Sequence, residues 1–107
     1  MRVLFDNGTP RGLANALAGH VVEEARSRGW DILRNGELLD AAETAGFDVL
    51  VTSDRNLGYQ QNLTGRKIAI VVLGRNRWSL IQSKLPQIAE CVSAARSGSY
   101  TFIEISE

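Results

Sequence analysis

The sequence predicts a single α/β domain over residues 1–107, a three-layer α/β/α sandwich around a mostly parallel, five-stranded sheet. Short apolar runs alternate along the chain with segments of helical periodicity, which is the pattern of βαβ units. One run, KIAIVVL at 67–73, is apolar almost throughout, as strands covered on both faces are. A chain of 107 residues is long enough for one domain and too short for two.

The first apolar run, Arg2 to Phe5, is predicted as a strand. A helix is expected at 10–18, because apolar residues recur there with helical spacing. Thr9 suits its N-cap and Pro10 its first position. Gly19 suits the C-terminal cap.

A brief second strand is expected at 20–22, and the segment 24–36 has no clean period and is interpreted as a loop with one turn. Asn35 is predicted to cap a second helix that ends at Gly46. Its apolar stripe comprises Leu38, Leu39, Ala42 and Ala45. A third strand is predicted at 48–52.

The polar segment 53–65 is expected to be a loop, with or without a short helix, before the strand at 67–73. Ser79 is predicted to cap a long helix, which Pro86 should kink or split. The apolar face of that helix comprises Ile81, Leu85, Ile88, Ala89 and Val92. The alternation of apolar and polar residues at 100–105 predicts an edge strand.

The composition excludes several classes of protein. Twelve basic and twelve acidic residues balance, so any nucleic-acid patch must be local. Cys91 is the single cysteine, which excludes an intrachain disulfide. No apolar run reaches membrane-spanning length, and the N-terminus enters a strand without a signal peptide, so no membrane partner and a cytoplasmic location are expected.

Two predicted strands run directly into an aspartate, Asp6 and Asp54. In a doubly wound sheet both would lie at the carboxyl edge, side by side where the strand order reverses. Paired carboxylates can bind Mg²⁺ or Mn²⁺, and Glu37 could bring a third. The alternative is that each aspartate only forms a turn or caps a helix, because its side chain can bond nearby backbone N–H groups.

The segment GRNRW at 74–78 is the best local basic patch. Arg75 and Arg77 could hold phosphate while Trp78 stacks on an unpaired base. The alternative is a polar loop with Trp78 folded onto the core. The amides and phenol of YQQN at 59–62 could contact a substrate or simply face water.

Several motifs, taken in order, resemble the PIN-like proteins of the small DUF5615 type. They are MRVLFDNGTPRGLANALAGHVV at the start, VLVTSDRNL at the third strand and IAIVVLGRN at the fourth. The resemblance covers nearly the whole chain. It implies a metal-dependent ribonuclease, with toxins of toxin–antitoxin pairs among its relatives.

Carried over by position, the resemblance implies Asp6 and Asp54 as metal ligands. Asn35 stands where the family tends to have an aspartate, and Glu37 could replace that charge. This chain also has DNG where the family commonly reads Asp-Glu-Asn, and Asn56 where a second aspartate is frequent. Its acidic cluster is therefore thinner than the family pattern.

The predicted function is metal-dependent hydrolysis of RNA. Asp6, Asp54 and Glu37 are assigned to catalysis and to Mg²⁺ or Mn²⁺. Substrate binding is assigned to Asn7, Asn35, Arg55, Arg75 and Arg77. The alternative is a module that has lost catalysis and binds RNA or a protein partner such as an antitoxin. A third interpretation is a homodimer formed through the edge strand at 100–105.

Overall fold

The computed structural model describes residues 1–55 and 65–106, except for the side chain of Asn35. The elements in this part are β1 (Arg2–Phe5), a first 3₁₀-helix (Arg11–Ala16), β2 (Val21–Glu24), a second 3₁₀-helix (Ala25–Arg28), α1 (Asn35–Thr44), β3 (Val49–Thr52), β4 (Ala69–Leu73), α2 (Trp78–Gln82), α3 (Leu85–Ser93) and β5 (Tyr100–Ile103). None of these helices is long and apolar enough to cross a membrane. The prediction for 53–65 falls mostly outside the described residues.

All five strands are parallel and lie in the order β2-β1-β3-β4-β5, which confirms the predicted α/β class. Val3 pairs with Val49 and Phe5 pairs with Val51, so β1 and β3 are direct neighbours. From β1 the chain goes to β2 on one side and later to β3 on the other. The strand order therefore reverses between β1 and β3, which is where such sheets bind ligands.

The centre of the sheet is buried on both faces, since every residue of β3 and β4 is buried. One face packs against the first 3₁₀-helix, α2 and α3, through a core that includes Val3, Phe5, Leu13, Leu17, Val71, Ile81, Ile88 and Val92. The other face packs against α1 and the second 3₁₀-helix, through a core that includes Leu4, Ala25, Leu38, Leu39, Ala42, Leu50 and Ile70. Val3 and Phe5 of β1 belong to the first core and Leu4 to the second, because successive side chains of a strand point to opposite faces.

The predicted helix at 10–18 is wrong in type and length, since it is a 3₁₀-helix at Arg11–Ala16. Thr9 does not cap it, because the Thr9 hydroxyl donates to the carbonyl of Val51 at 3.2 Å. Pro10 takes the N-cap position with extended backbone, and no side chain caps the helix. Thr9 instead ties the loop after β1 to β3.

The predicted caps at Asn35 and Ser79 are also wrong. Asn35 is the first residue of α1, and the extended residue before it, Arg34, occupies the N-cap. Ser79 lies within α2, which begins at Trp78. A cap contributes only about 1 kcal/mol, so packing of the buried helix face decides where each helix begins.

The end of α1 follows the sequence prediction. Gly46 has a φ of 87°, the left-handed conformation that only glycine adopts without strain. Its N–H donates to the Glu43 carbonyl, and that of Phe47 donates to the Ala42 carbonyl. These are the two bonds of a Schellman cap.

Pro86 splits the predicted long helix into α2 and α3. Pro86 lies in the first turn of α3, where its missing N–H costs no hydrogen bond. The strands differ from prediction only at their ends. Lys67 is outside β4, for example, because its N–H donates to Glu43 Oε2 at 2.8 Å. β5 is an edge strand as expected, and a homodimer through it stays a prediction.

Candidate functional site

A crevice of about 230 Å³ opens at the carboxyl edge of the sheet, beside the reversal in strand order. Asp6 and Asp54 both line it, so the two aspartates that follow β1 and β3 share one site. The other lining residues are Asn7, Asp31, Leu33, Arg34 and Leu38. This is the arrangement expected of two parallel neighbours whose carboxyl ends meet at one edge.

Thr52, the last residue of β3, links the two aspartates. Its hydroxyl donates to Asp6 Oδ2 at 2.8 Å and accepts the backbone N–H of Asp54 at 3.0 Å. Thr52 has no exposed surface, so these bonds are the partners of a buried hydroxyl. One side chain thus orients the Asp6 carboxylate and the backbone from which Asp54 extends. The contact of Thr52 with Asp6 was not predicted from the sequence.

Asp6 also shapes its own turn, so part of the alternative interpretation is present. Asp6 Oδ1 accepts the N–H of Asn7 at 2.8 Å, and the Asp6 carbonyl accepts the N–H of Thr9 at 3.1 Å. Each carboxylate oxygen therefore accepts one described hydrogen bond. An ionised carboxylate has about four lone-pair sites, so both oxygens retain capacity for another partner.

Asn7 connects the loop after β1 to the turn that precedes α1. Its side-chain N–H donates to the carbonyl of Asp31 at 3.1 Å. This contact brings a third aspartate, Asp31, to the crevice. Sequence reasoning missed Asp31 because the segment around it has no period, and nothing local indicates that it lies beside Asp6.

Glu37 does not join this group. It is exposed in the first turn of α1 and does not line the crevice. Within residues 1–55 and 65–106, no three His, Cys, Asp or Glu side chains are arranged to hold a metal ion. The side chain of Asn35 lies outside the described residues, as do Asn56 and the segment 59–62. A substrate contact by Asn35 or by that segment therefore stays a prediction.

The donor chemistry of the crevice nevertheless fits a hard divalent cation. Mg²⁺ commonly binds through one or two carboxylates and takes its remaining ligands from water and substrate phosphates. Asp6 and Asp54 meet that requirement, although they do not form an all-protein cage. A cation here remains a prediction.

The loops after β1, β3 and β4 meet near the crevice. A Cβ at Gly8 would lie 3.8 Å from Asn76 Nδ2 and 3.9 Å from Ser53 Oγ. Arg75 and Arg77, which flank Asn76, are exposed on the loop after β4. The predicted phosphate-binding arginines therefore lie on the same edge as the aspartates.

Arg55 turns away from the crevice. Its Nη2 donates to the Gly74 carbonyl at 3.0 Å, and its guanidinium lies 5.4 Å from the ring centroid of Phe102. Trp78 packs onto the first 3₁₀-helix, where a Cβ at Gly12 would lie only 2.7 Å from the indole. Trp78 is nevertheless 37% exposed and belongs to neither core, so base stacking by Trp78 stays a prediction, as does a substrate contact by Arg55.

Arg34 lines the crevice but was not predicted. It immediately precedes α1, and its only sequence signal was its position beside Asn35. A neighbouring pocket of about 200 Å³ is also lined by Asp6 and Asn7, together with Arg11 and Arg26. Arg11 forms an ion pair with Glu24 at 3.0 Å.

In the described part of the chain, shifted pKa values belong to groups in structural ion pairs. Burial raises the pKa of Glu43, but hydrogen bonds from Arg66 and from the Lys67 N–H lower it below its usual value on balance. Arg66 Nη1 lies 2.6 Å from both Asp40 Oδ1 and Glu43 Oε1. These contacts hold the chain before β4 against α1, and none of the residues that make them lines the crevice.

Comparisons with known proteins add no family to this description. No family model matches the chain, and neither a curated protein nor a solved structure does. The resemblance to PIN-like proteins therefore stays a prediction.

Proposed function

We propose that the chain hydrolyses phosphodiester bonds of RNA in a reaction that requires Mg²⁺ or Mn²⁺. One observation carries the proposal: Asp6 and Asp54 follow adjacent parallel strands and line the same crevice at the reversal of strand order. Doubly wound sheets bind their ligands at this position. Paired carboxylates there are suited to a cation that a substrate phosphate also contacts.

In this proposal Asp6 and Asp54 hold the cation, which would polarise the phosphodiester and activate water. Thr52 keeps the Asp6 carboxylate oriented through its 2.8 Å hydrogen bond. Arg34, which lines the crevice, and Arg75, which is exposed on the loop after β4, would bind phosphates on either side of the reacting one. Glu37 does not line the crevice, so the proposal gives it no part in holding the cation.

The PIN-like resemblance supports a wider proposal, that the chain is the toxin of a toxin–antitoxin pair acting in the cytoplasm. Its support is the order of the sequence motifs. An antitoxin would then be a protein partner, and its test is co-purification with the product of an adjacent gene.

The metal requirement is tested by calorimetric titration of Mn²⁺ into the wild type, Asp6→Asn and Asp54→Asn. We expect saturable binding in the wild type and its loss in both variants, because each removes a charged ligand. Glu90→Gln, a change of an exposed acid on α3, is the control and should bind as the wild type does. RNA cleavage should likewise be seen in the wild type and Glu90→Gln and be lost in Asp6→Asn and Asp54→Asn.

Absence of Mn²⁺ binding, both alone and with a short RNA present, would contradict this proposal. Circular dichroism of each variant separates loss of a ligand from loss of the fold. Asp6 also supports a turn, so retention of the fold matters especially for Asp6→Asn.

A second candidate is a PIN-like module that binds RNA or a protein partner without cleaving it. It is favoured by the absence of a third acid close enough to complete a metal site in the described residues. The two candidates predict different behaviour when a chelator removes the metal. A binding module retains its affinity in excess EDTA and never cleaves, whereas the enzyme stops cleaving in EDTA and resumes when Mn²⁺ is restored.

A further inference from the structure

The turn at 30–33 borders the crevice and is anchored at both ends. The N–H of Leu33 donates to the carbonyl of Trp30 at 3.0 Å, which closes the turn. Trp30 and Leu33 pack against the core beneath α1. Asn7 binds the carbonyl of Asp31 from the opposite wall. The turn is therefore held in place before any ligand arrives.

Ile32 occupies the outer corner of this turn. It is 77% exposed, more than any other large apolar side chain in the described part of the chain. Its neighbours Asp31 and Leu33 both line the crevice. A β-branched apolar residue is a poor choice for a turn position on conformational grounds, since Gly, Asn and Asp are favoured there. Ile32 contributes almost nothing to the core, so its apolar surface is available to a ligand at little ordering cost.

Arg34 supplies a cation to the same rim. It is exposed, lines the crevice and makes no ion pair within residues 1–55 and 65–106. By contrast, Arg28 and Arg66 are each bound to a carboxylate. A guanidinium with open donors beside a crevice is suited to bind a phosphate in bidentate geometry.

We propose that Ile32 and Arg34 form a nucleotide subsite, in which Ile32 packs against the face of an unpaired RNA base and Arg34 binds an adjacent phosphate. The subsite rests on the proposed function, because the reacting phosphate would lie next to it at Asp6 and Asp54. Single-stranded nucleic acids are bound by combining contacts to base faces with cationic contacts to the backbone, and Ile32 and Arg34 offer one of each beside the crevice. A paired base could not present its face to Ile32.

The test is binding of short, labelled, single-stranded RNA by fluorescence anisotropy in excess EDTA, which prevents cleavage. Ile32→Ser should weaken binding about tenfold, because half-burial of an isoleucine contributes about 1.4 kcal/mol. Arg34→Gln should weaken binding and lower the slope of log Kd against log salt by about 0.7, the value for one phosphate contact on a single strand.

Two matched controls lie far from the crevice. Val21→Ser changes another β-branched residue, 59% exposed at the start of β2. Arg96→Gln changes another exposed arginine, in the turn before β5. Both control variants should bind RNA as the wild type does. All four substitutions are at exposed positions, so each should unfold at nearly the wild-type urea concentration.

A base contact is distinguished from a general loss of affinity by RNAs that lack one base at successive positions. When the base that meets Ile32 is missing, the affinity of the wild type should fall about tenfold. The affinity of Ile32→Ser should not change, because that variant has already lost the contact. Equal losses in the two proteins at every position would overturn the base contact.

The subsite and the catalytic proposal fail in different ways. If Ile32→Ser and Arg34→Gln bind RNA as tightly as their controls, the subsite is overturned, even if Mn²⁺-dependent cleavage is observed. If both variants lose affinity as expected but no cleavage occurs with Mn²⁺, the subsite stands and hydrolysis fails. If the wild type binds no single-stranded RNA with or without Mn²⁺, the subsite is overturned.

Discussion

Replacing Thr52 by valine should destabilise the protein and loosen the candidate site together. Valine has nearly the shape of threonine but lacks the hydroxyl, which donates to Asp6 at 2.8 Å and accepts from Asp54 at 3.0 Å. Thr52 is fully buried, so no water takes the place of the hydroxyl itself. A hydrogen bond to a charged group contributes about 1.5–3 kcal/mol. The exposed Asp54 can regain water, so we expect a net loss of about 2 kcal/mol.

The assay is urea unfolding followed by circular dichroism, with Thr52→Ser as the matched control. Serine keeps the hydroxyl and loses one buried methyl group, which costs about 1 kcal/mol. Mn²⁺ titration adds a readout that stability alone would not move. Thr52→Val should weaken Mn²⁺ binding because Asp6 is no longer held, whereas Thr52→Ser should retain it.

A stabilising role of the hydroxyl would be contradicted if Thr52→Val unfolded at the same urea concentration as the wild type or at a higher one. That result would mean that the hydroxyl bonds contribute nothing net. Equal Mn²⁺ affinity in Thr52→Val and Thr52→Ser would refute the separate inference that Thr52 orients Asp6 for a cation.

Three further predictions concern single side chains. Gly12→Ala should lower the free energy of unfolding by about 1 kcal/mol, the low end for overpacking, because its Cβ would lie 2.7 Å from the outer ring of Trp78, which is 37% exposed and can shift; unchanged urea unfolding would contradict this close packing. Glu43→Gln should cost stability at neutral pH but progressively less as the pH falls below about 4.5, because the folded-state pKa of Glu43 is lowered and the contacts with Arg66 are lost on protonation; a pH-independent difference between the two proteins would count against it. Asp31→Asn should weaken Mn²⁺ binding a few-fold without abolishing it, since Asp31 lines the crevice but forms no three-acid group with Asp6 and Asp54; complete loss in the titration would make it a direct ligand.

The position of the candidate site could be predicted because it depends on strand direction alone. Once Val3 to Phe5 and Val49 to Val51 are parallel neighbours, the residues that follow them must meet at one edge. The meeting of Asp6 and Asp54 could therefore be predicted without knowing how the loops fold. The positions of Asp31 and Arg34 could not be predicted in this way, because Asn7 holds their segment at the crevice through a contact with Asp31, 24 residues away.

The caps show where local sequence patterns fail. Thr9 has the side chain of a good N-cap, but its hydroxyl instead donates to the carbonyl of Val51, 42 residues away. The local and the distant hydrogen bond are each worth about 1 kcal/mol, so neither is favoured by chemistry alone. Gly46 was predictable because its left-handed backbone is a steric requirement with no distant competitor.

The sequence by itself determined the α/β class, the parallel sheet and the edge at which Asp6 and Asp54 meet. These follow from hydrophobic periodicity, since a run such as Ala69–Leu73 is stable only when it is covered on both faces. The tertiary structure alone decided that Thr52 bridges the aspartates, that Glu37 stays outside the crevice and that Arg34 lines it. Those outcomes depend on which side chains the packed loops bring together, and contacts between distant parts of the chain leave no periodic signal in the sequence.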